Sequence, residues 1–412
     1  MTSQRLPAYS LFAALLSAAG LPIYIHAPKF YLDEYGVSLA SLGAVLFALR
    51  LIDVVQDPLL GRLAEKTRKN RAVTVGIGCT VIAVAMVGLF AVEPLVAPLI
   101  WFGLTLTLVF SAFSFLTINF YAQGVTKADA MPGNGHLRLA RWRESGALVG
   151  VCVAAVAPVA LGAFLAAPFA PFAGFAVGFA VLALAAWFFM RPEWNTEGVA
   201  PGTGFKVVLQ DPLARRLLLI ALVNAAPVAV SSTLFLFFVE SRLDAPGFEG
   251  LLLLIFFLAA AVAAPLWGRL AEAIGSKLTL IAAMILAIAS FGLTFLLGPG
   301  DWVLFALICV ASGATLGADL TLLPALFASR MARISPSAAE GFGLWSFVSK
   351  LTLAFAAVSL LPLLEGAGFQ SGAAVENPPE VLTLLTVLYA GVPCVLKLIA
   401  IFLVATTNLR EA

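Results

Sequence analysis

Charge is what this sequence has least of. Only 11% of its 412 residues are charged, 62% are hydrophobic, and mean hydropathy is +1.03. A soluble fold cannot bury so large an apolar share, so the composition describes a polytopic membrane protein. Histidine is nearly absent: His26 and His136 are the only two, which argues against a metal centre built on imidazoles. The four cysteines, Cys79, Cys152, Cys309 and Cys394, stand in apolar runs without CxxC spacing and read as small core residues rather than disulfides or ligands. A Gly-rich phosphate loop with its lysine is missing, and so is a Gly-x-Ser-x-Gly nucleophile turn. The chain therefore reads neither as a nucleotide-driven pump nor as an enzyme, and no cofactor is expected.

What is there in quantity is apolar run after apolar run. They fall at 8–31, 38–63, 72–92, 95–124, 139–163, 168–190, 213–240, 249–272, 276–298, 301–329, 341–364 and 381–407. A membrane-spanning helix needs about 20 such residues, so the pattern predicts twelve transmembrane helices and only short loops. The run that follows Met1 to Pro7 has no small-residue cleavage site and reads as an uncleaved first helix. Lys and Arg set the orientation. Lys29 and Arg242 fall on one side and Arg50, Lys350 and Lys397 within runs, while the rest of the 24 lie on the side that holds both termini. Positive loops stay inside, so both termini are expected in the cytoplasm of a cytoplasmic (inner) membrane. The net charge of +2 conceals that asymmetry and gives no reason to expect nucleic acid as a partner.

The chain repeats itself. Pro58-Leu-Leu-Gly61-Arg62-Leu-Ala-Glu65 returns as Pro265-Leu-Trp-Gly268-Arg269-Leu-Ala-Glu272, each copy after the second run of six. Two parallel halves around a midplane cavity is the plan of a rocking-bundle transporter. The expected division is residues 1–190 as one six-helix bundle, 191–212 as a cytoplasmic linker rich in Gly and Pro, and 213–412 as the second bundle.

Three ionisable residues sit inside the second run. Arg50, Asp53 and Asp57 are spaced i, i+3 and i+7, so a helix gathers them on one face. An ionised group in hydrocarbon costs several kcal/mol, so such a face belongs in a bundle interior or a wet cavity. Pro58 lacks an N–H and frees the carbonyl of Val54, between the two carboxylates. Two acids and a free carbonyl suit a small hard cation, and two acids alone suit a proton. A charge-paired kink that merely packs would show the same residues.

These residues carry a family resemblance. The Gly-x-x-x-acid-basic pattern after the second run resembles the cytoplasmic motif of the major facilitator superfamily. Asp53-x-x-x-Asp57-Pro58-x-x-Gly61 resembles, more narrowly, the glycoside–pentoside–hexuronide:cation symporters, the melibiose permease group. Phe30-Tyr31-x-x-Glu34-Tyr35-Gly36-Val37-Ser38 fits that group's exit from helix 1, and Glu340-Gly341-Phe342-Gly343 with Lys350 fits its late motif. The resemblance implies an all-α membrane protein of the major facilitator fold, with two pseudo-symmetric six-helix bundles and a cation site at Asp53 and Asp57. It also has gaps. The family's sugar-binding acid of helix 1 falls near Ser17, that of helix 4 near Thr117 or Asn119, and the loop acid after Gly61 is Glu65 rather than Asp.

Other polar residues complete the candidate cavity: His26 and Tyr24 in the first run, Asn119 and Gln123 one turn apart in the fourth, and Asn224 near Pro227 in the seventh. Asp319 is a candidate partner for Lys350 or a second proton carrier. Lys350 either snorkels or, as the resemblance implies, faces the cavity near Asp53 and Asp57, and Lys397 is expected to snorkel to the surface. Each amide also suits plain interhelical hydrogen bonding, and His26 a bond to a neighbouring helix. A cytoplasmic gate is expected from Gly61, Arg62, Glu65, Arg68, Arg141, Glu144, Gly268, Arg269 and Glu272. The reading that results is a monomeric secondary transporter in the lipid bilayer. It would carry a small organic solute, sugar- or glycoside-like, by symport with Na⁺ or H⁺ under alternating access. An amphipathic substrate (a drug or lysolipid) on the same fold, or a non-transporting membrane protein, remains open.

Overall fold

The computed structural model describes residues 5–162, 164–165, 170–194, 204–335, 337–370 and 377–409. Its helices are α1 Leu6–Ala18, α2 Leu21–Tyr35, α3 Leu39–Lys66, α4 Arg71–Phe90, α5 Pro98–Asp129, α6 Gly135–Gly162, α7 Ala170–Met190, α8 Phe205–Gln210, α9 Pro212–Phe237, α10 Glu249–Ile274, α11 Ser276–Gly292, α12 Trp302–Ile334, α13 Ala339–Gly366, α14 Pro379–Thr386 and α15 Val392–Ala405. Nine of these stretches are long and apolar enough to cross a membrane, counted among the described residues. Large apolar side chains stay exposed at helical spacing, as with Val73, Ile77 and Val84 along α4. A membrane protein turns such a stripe toward lipid, where it costs nothing.

Among the described residues, four expected spans are not uniform α-helix, the ninth span ending in a 3-10 turn, Leu293–Leu296. The first is two helices, α1 and α2, which part at Ala19 and Gly20. Pro opens α2 in its first turn, where its missing N–H would have had no partner in any case. The seventh continues from α9 into a π-helical turn, Phe238–Arg242, and the twelfth holds a second π turn, Val387–Gly391, between α14 and α15. The two π turns meet, with Phe238 stacked on Tyr389 at 4.2 Å between ring centroids. No run of apolar residues announces such a turn, because the extra residue shifts the register without changing composition.

The chain forms two compact units. One is Met1–Gln210 with Met331–Phe347, and the other is Asp211–Arg330 with Val348–Ala412. In the first, α1 lies against α6, α3 against α5, and α4 against α5 and α7. The crossing of α1 and α6 depends on glycine. A Cβ on Gly146 would come within 2.2 Å of the Ser10 carbonyl oxygen, and one on Gly150 within 2.4 Å of that of Ala14. Small residues at i and i+4 let two backbones touch, which is how helices associate where lipid is as apolar as the side chains. Tyr9, Phe12 and Phe120 fill the core beside this crossing, with ring centroids 5.0–5.6 Å apart.

In the second unit, α9 and α11 both pack on α15. Asp211 starts α9 by accepting a hydrogen bond from the Ala214 N–H at 2.7 Å, and the Arg330 guanidinium donates to the same carboxylate, Nε at 3.0 Å. Those bonds from Arg330 hold the Asp211 carboxyl below the usual aspartate range.

Two expectations follow. Gly150→Leu should give no folded protein in detergent, whereas Gly178→Ala, whose new Cβ meets nothing within 4 Å, should melt close to wild type in a fluorescence thermal assay. Asp211→Ala should lower stability by about 1–2 kcal/mol at neutral pH. Because the folded carboxyl titrates low, that contribution is present above the unfolded aspartate's range and disappears as pH falls through the folded one, so the wild type and variant melting curves should converge in acid.

Candidate functional site

Two groups of buried polar side chains stand out, one in each unit. In the first, α3 turns Leu51, Ile52, Val55 and Leu59 outward and buries Asp53 and Asp57, at 3% and 0% exposure. That is the division the i, i+4 spacing required, with the apolar flank left for lipid. Gln56 Nε2 donates to Asp53 Oδ1 at 2.6 Å, and Ser111 Oγ on α5 donates to Gln56 Oε1 at 2.9 Å. A hydroxyl, an amide and a carboxylate thus form a directed chain between two helices. Neither Gln56 nor Ser111 stood out in the sequence, although Gln56 lies three residues from Asp53, on the same helical face.

One turn further on, α3 meets the start of α13. A Cβ on Gly61 would lie 3.2 Å from the Ala339 carbonyl oxygen and 3.3 Å from Gly343 Cα, and one on Gly343 would lie 3.1 Å from the Asp57 carbonyl oxygen. Two glycines from two separate motifs therefore form one backbone contact, directly beside Pro58, which lies inside α3. Around it, Arg62 lies over the Phe205 ring at 4.9 Å, Arg68 pairs with Glu65 at 3.2 Å, and Glu340 accepts from the Gly204 N–H at 2.8 Å. Gly61, Arg62, Glu65 and Arg68 thus share one region. In the second copy of the repeat Gly268 is buried while Arg269 and Glu272 are exposed, and Pro265 again lies inside a helix, α10.

Several other candidates are engaged elsewhere. Gln123 accepts from buried Arg71 at 3.0 Å, and Asn119 donates to the Phe115 carbonyl of its own helix at 2.9 Å. It is Ser111, a residue of the same helix, that reaches the Asp53 network. The oxygen of Thr117 is buried. His26 Nε2 lies 3.0 Å from the Ala155 carbonyl of α6, the interhelical bond that was its plainer reading. Glu144 pairs with its neighbour Arg143 at 2.6 Å, and the Arg143 guanidinium lies 3.9 Å over the Tyr121 ring, whose hydroxyl donates to Glu144. Arg141, part-exposed, precedes that cluster on α6. The side chains of Tyr24 and Arg50 lie outside the described residues.

The second unit corrects one expectation outright. Lys397 does not snorkel: it is 6% exposed, donates to Asn224 Oδ1 at 2.7 Å and forms an ion pair with Asp319. Asp319 is therefore the partner of Lys397 rather than of Lys350. Lys350 is part-exposed on α13. The triad joins α9, α12 and α15, positions 173 and 78 residues apart in sequence. Local spacing could not reveal it, since no two members share a helix.

Comparison with known proteins follows this geometry. The family described as MFS/sugar transport protein matches residues 7–411. The chain belongs to that family. Its members are membrane transporters rather than enzymes, and the chain is accordingly a multi-pass integral membrane protein and a secondary transporter of the major facilitator class. A comparison with curated proteins by sequence finds no match. Among solved structures, a bacterial homologue of the iron transporter ferroportin in its outward-facing state superposes with a TM-score of 0.69. It is 15% identical, over 97% of this chain and 98% of the other. The human organic anion transporter TETRAN superposes with a TM-score of 0.64 at 15% identity, over 96% and 100%. At that identity the likeness establishes the all-helical major facilitator fold and nothing about cargo.

The α3 network yields an expectation. Gln56→Leu removes a donor from a buried carboxylate and should lower stability by about 1–3 kcal/mol, read as a fall in melting temperature. Ser111→Ala, which leaves Gln56 bonded to Asp53, should cost less.

Proposed function

We propose that this transporter couples the movement of a small, sugar-like organic solute to a cation, Na⁺ or H⁺, taken up at Asp53 and Asp57. One observation carries the reading: both carboxylates are buried on the inward face of a helix whose other face is apolar. A bilayer-spanning helix holds two acids one turn apart at considerable cost, and coupling is the common return on that cost. Each requires a partner or a proton, so a cation entering their surroundings changes the free energy of the helix that carries them.

The close contact at Gly61 and Gly343 supports a conformational role for the same helix. The Asp57 carbonyl and Gly61 both lie at that crossing, so ion occupancy and the packing of α3 on the start of α13 bear on the same few residues. Alternating access then needs only that ion and solute together favour one state over another, because a ligand with equal affinity for every state shifts nothing. Symport, cytoplasmic termini, two six-helix halves and a monomeric carrier belong to the same proposal.

An amphipathic cargo is the second reading. It is favoured by the uncharged residues at Ser17, Thr117 and Asn119, where the resemblance implies acids for sugar hydroxyls. The amide of Asn119 is moreover turned to its own helix.

Proteoliposomes decide between these. With a panel of glycosides, uptake by wild type should be stimulated by an inward Na⁺ gradient or accompanied by internal alkalinisation, and Asp53→Asn and Asp57→Asn should abolish the ion dependence. Competition by amphiphiles but not by disaccharides would select the second reading. Solute movement with no ion dependence, unchanged in both variants, would remove the aspartates from the mechanism.

A further inference from the structure

The Lys397–Asp319–Asn224 triad has no part in the proposal above, yet it sits where a charge is most costly. Two of its members, Asp319 and Lys397, also line a cavity within the second unit. Asp319, Lys397 and Cys394 contribute to the wall with Ser231, Ser312 and Thr315, and the rest of the lining is apolar. The free space is about 70 Å³. A single water needs roughly 10–15 Å³, so the cavity has room for a molecule of a few heavy atoms.

The pair is unevenly satisfied. Lys397 has three N–H donors and spends one on Asp319 and one on the Asn224 amide oxygen, which would continue to hold it if Asp319 let go. Asp319 has no such second support. Its Oδ2 meets Lys397, and its Oδ1 is buried with no hydrogen-bond partner. The carboxylate is thus the weaker member, and a proton on Oδ1 is the simplest way to satisfy it. Among the described residues that line the cavity, no other is charged. Asn224 on α9 is neutral, Cys394 on α15 is a thiol, and α10 and α11 contribute only apolar side chains to the wall. The three hydroxyls donate to carbonyls of their own helices: Ser231 to Val228, Ser312 to Ile308 and Thr315 to Ser312.

From this geometry we infer that the cavity is a binding site for a short-chain monocarboxylate, taken up together with one proton. In the empty site Lys397 and Asp319 cancel. An anion that enters alone would add a net negative charge to a low-dielectric bundle, which is strongly unfavourable. If a proton moves onto Asp319 as the anion arrives, the ligand carboxylate replaces Asp319 opposite Lys397 and the site remains neutral. A cation would be repelled by the Lys397 ammonium, which also donates to Asn224. The apolar rings accept the alkyl tail. The inference does not rest on Asp53 and Asp57 or on sugar as cargo.

The test is equilibrium binding to the full chain in nanodiscs, which needs no transport, so its failure would leave the Asp53 and Asp57 reading untouched. The probes are propionate, propanamide and propylamine. Propionate should bind in preference to the other two, with one proton taken up per molecule, read with a pH dye in weak buffer. Because one proton is taken up with it, its affinity should weaken as pH rises. In Asp319→Asn the affinity should become independent of pH and proton uptake should vanish. The paired variant D319N/K397Q carries no unmatched charge. It should melt near wild type and bind no propionate, which separates loss of the site from loss of the fold. The inference is overturned if folded wild type binds no propionate, if propanamide binds as well, if proton uptake survives in D319N, or if the paired variant still binds.

Discussion

An ion in hydrocarbon must find a partner, and most of this protein's internal architecture is a response to that constraint. Arg71 lies against Gln123, Arg143 against Glu144 and the face of Tyr121, Asp53 against Gln56, and Lys397 against Asp319 and Asn224. Each pairing cross-links helices or fixes a side chain on one, so the polar residues do what disulfides and buried apolar area do in a soluble domain. The cost of breaking any one of them is high because water is not available to take the vacated place. The same constraint lets so few charged residues carry so much of the structure.

The second constraint is steric. Where apolar side chains gain nothing by leaving lipid, helices associate through close backbone contact, and glycines set where it happens. Gly146 and Gly150 set the α1–α6 crossing, and Gly61 with Gly343 sets that of α3 on the start of α13. The latter pair unites two motifs that are far apart in the chain. The backbone contact that Gly61 makes possible accounts physically for a glycine in its motif, and for one in the late motif as well. Charge pairing and glycine contact converge on α3, which bears the buried aspartates, the internal proline and the crossing within three turns. Under the proposed coupling, a change of occupancy at the carboxylates would act on a helix that has little freedom to absorb it elsewhere.

The second unit shows the same logic away from the Asp53 and Asp57 motif. Its triad is assembled from α9, α12 and α15, and two of its members line a small cavity. The π turns of the seventh and twelfth spans stack on one another through Phe238 and Tyr389, so the α9–α15 interface is irregular as well as charged. A polar group in such surroundings is expensive enough to imply a use, and the imbalance between Lys397 and Asp319 indicates which of the two gives way.

How much of this could be read from the chain depends on the range of the interaction. Composition and the length of apolar runs settled the membrane-spanning, all-helical class, because transfer of apolar segments into lipid is additive and local. The inward placement of Asp53 and Asp57 followed from a helical period of 3.6 residues. Partner choice was not readable. Lys397 looked like a snorkelling lysine, and Asp319 like a candidate partner for Lys350, because nothing in one dimension tells which of several distant charges shares a bundle interior. The Ser111–Gln56 link, the Gly61–Gly343 contact and the break at Ala19 and Gly20 were hidden for the same reason. Sequence alone determined which residues could not remain in lipid unaccompanied, since desolvation is a property of the residue. Only the tertiary structure decided what accompanies them, since a hydrogen bond or ion pair exists only at a distance and angle that helix packing sets.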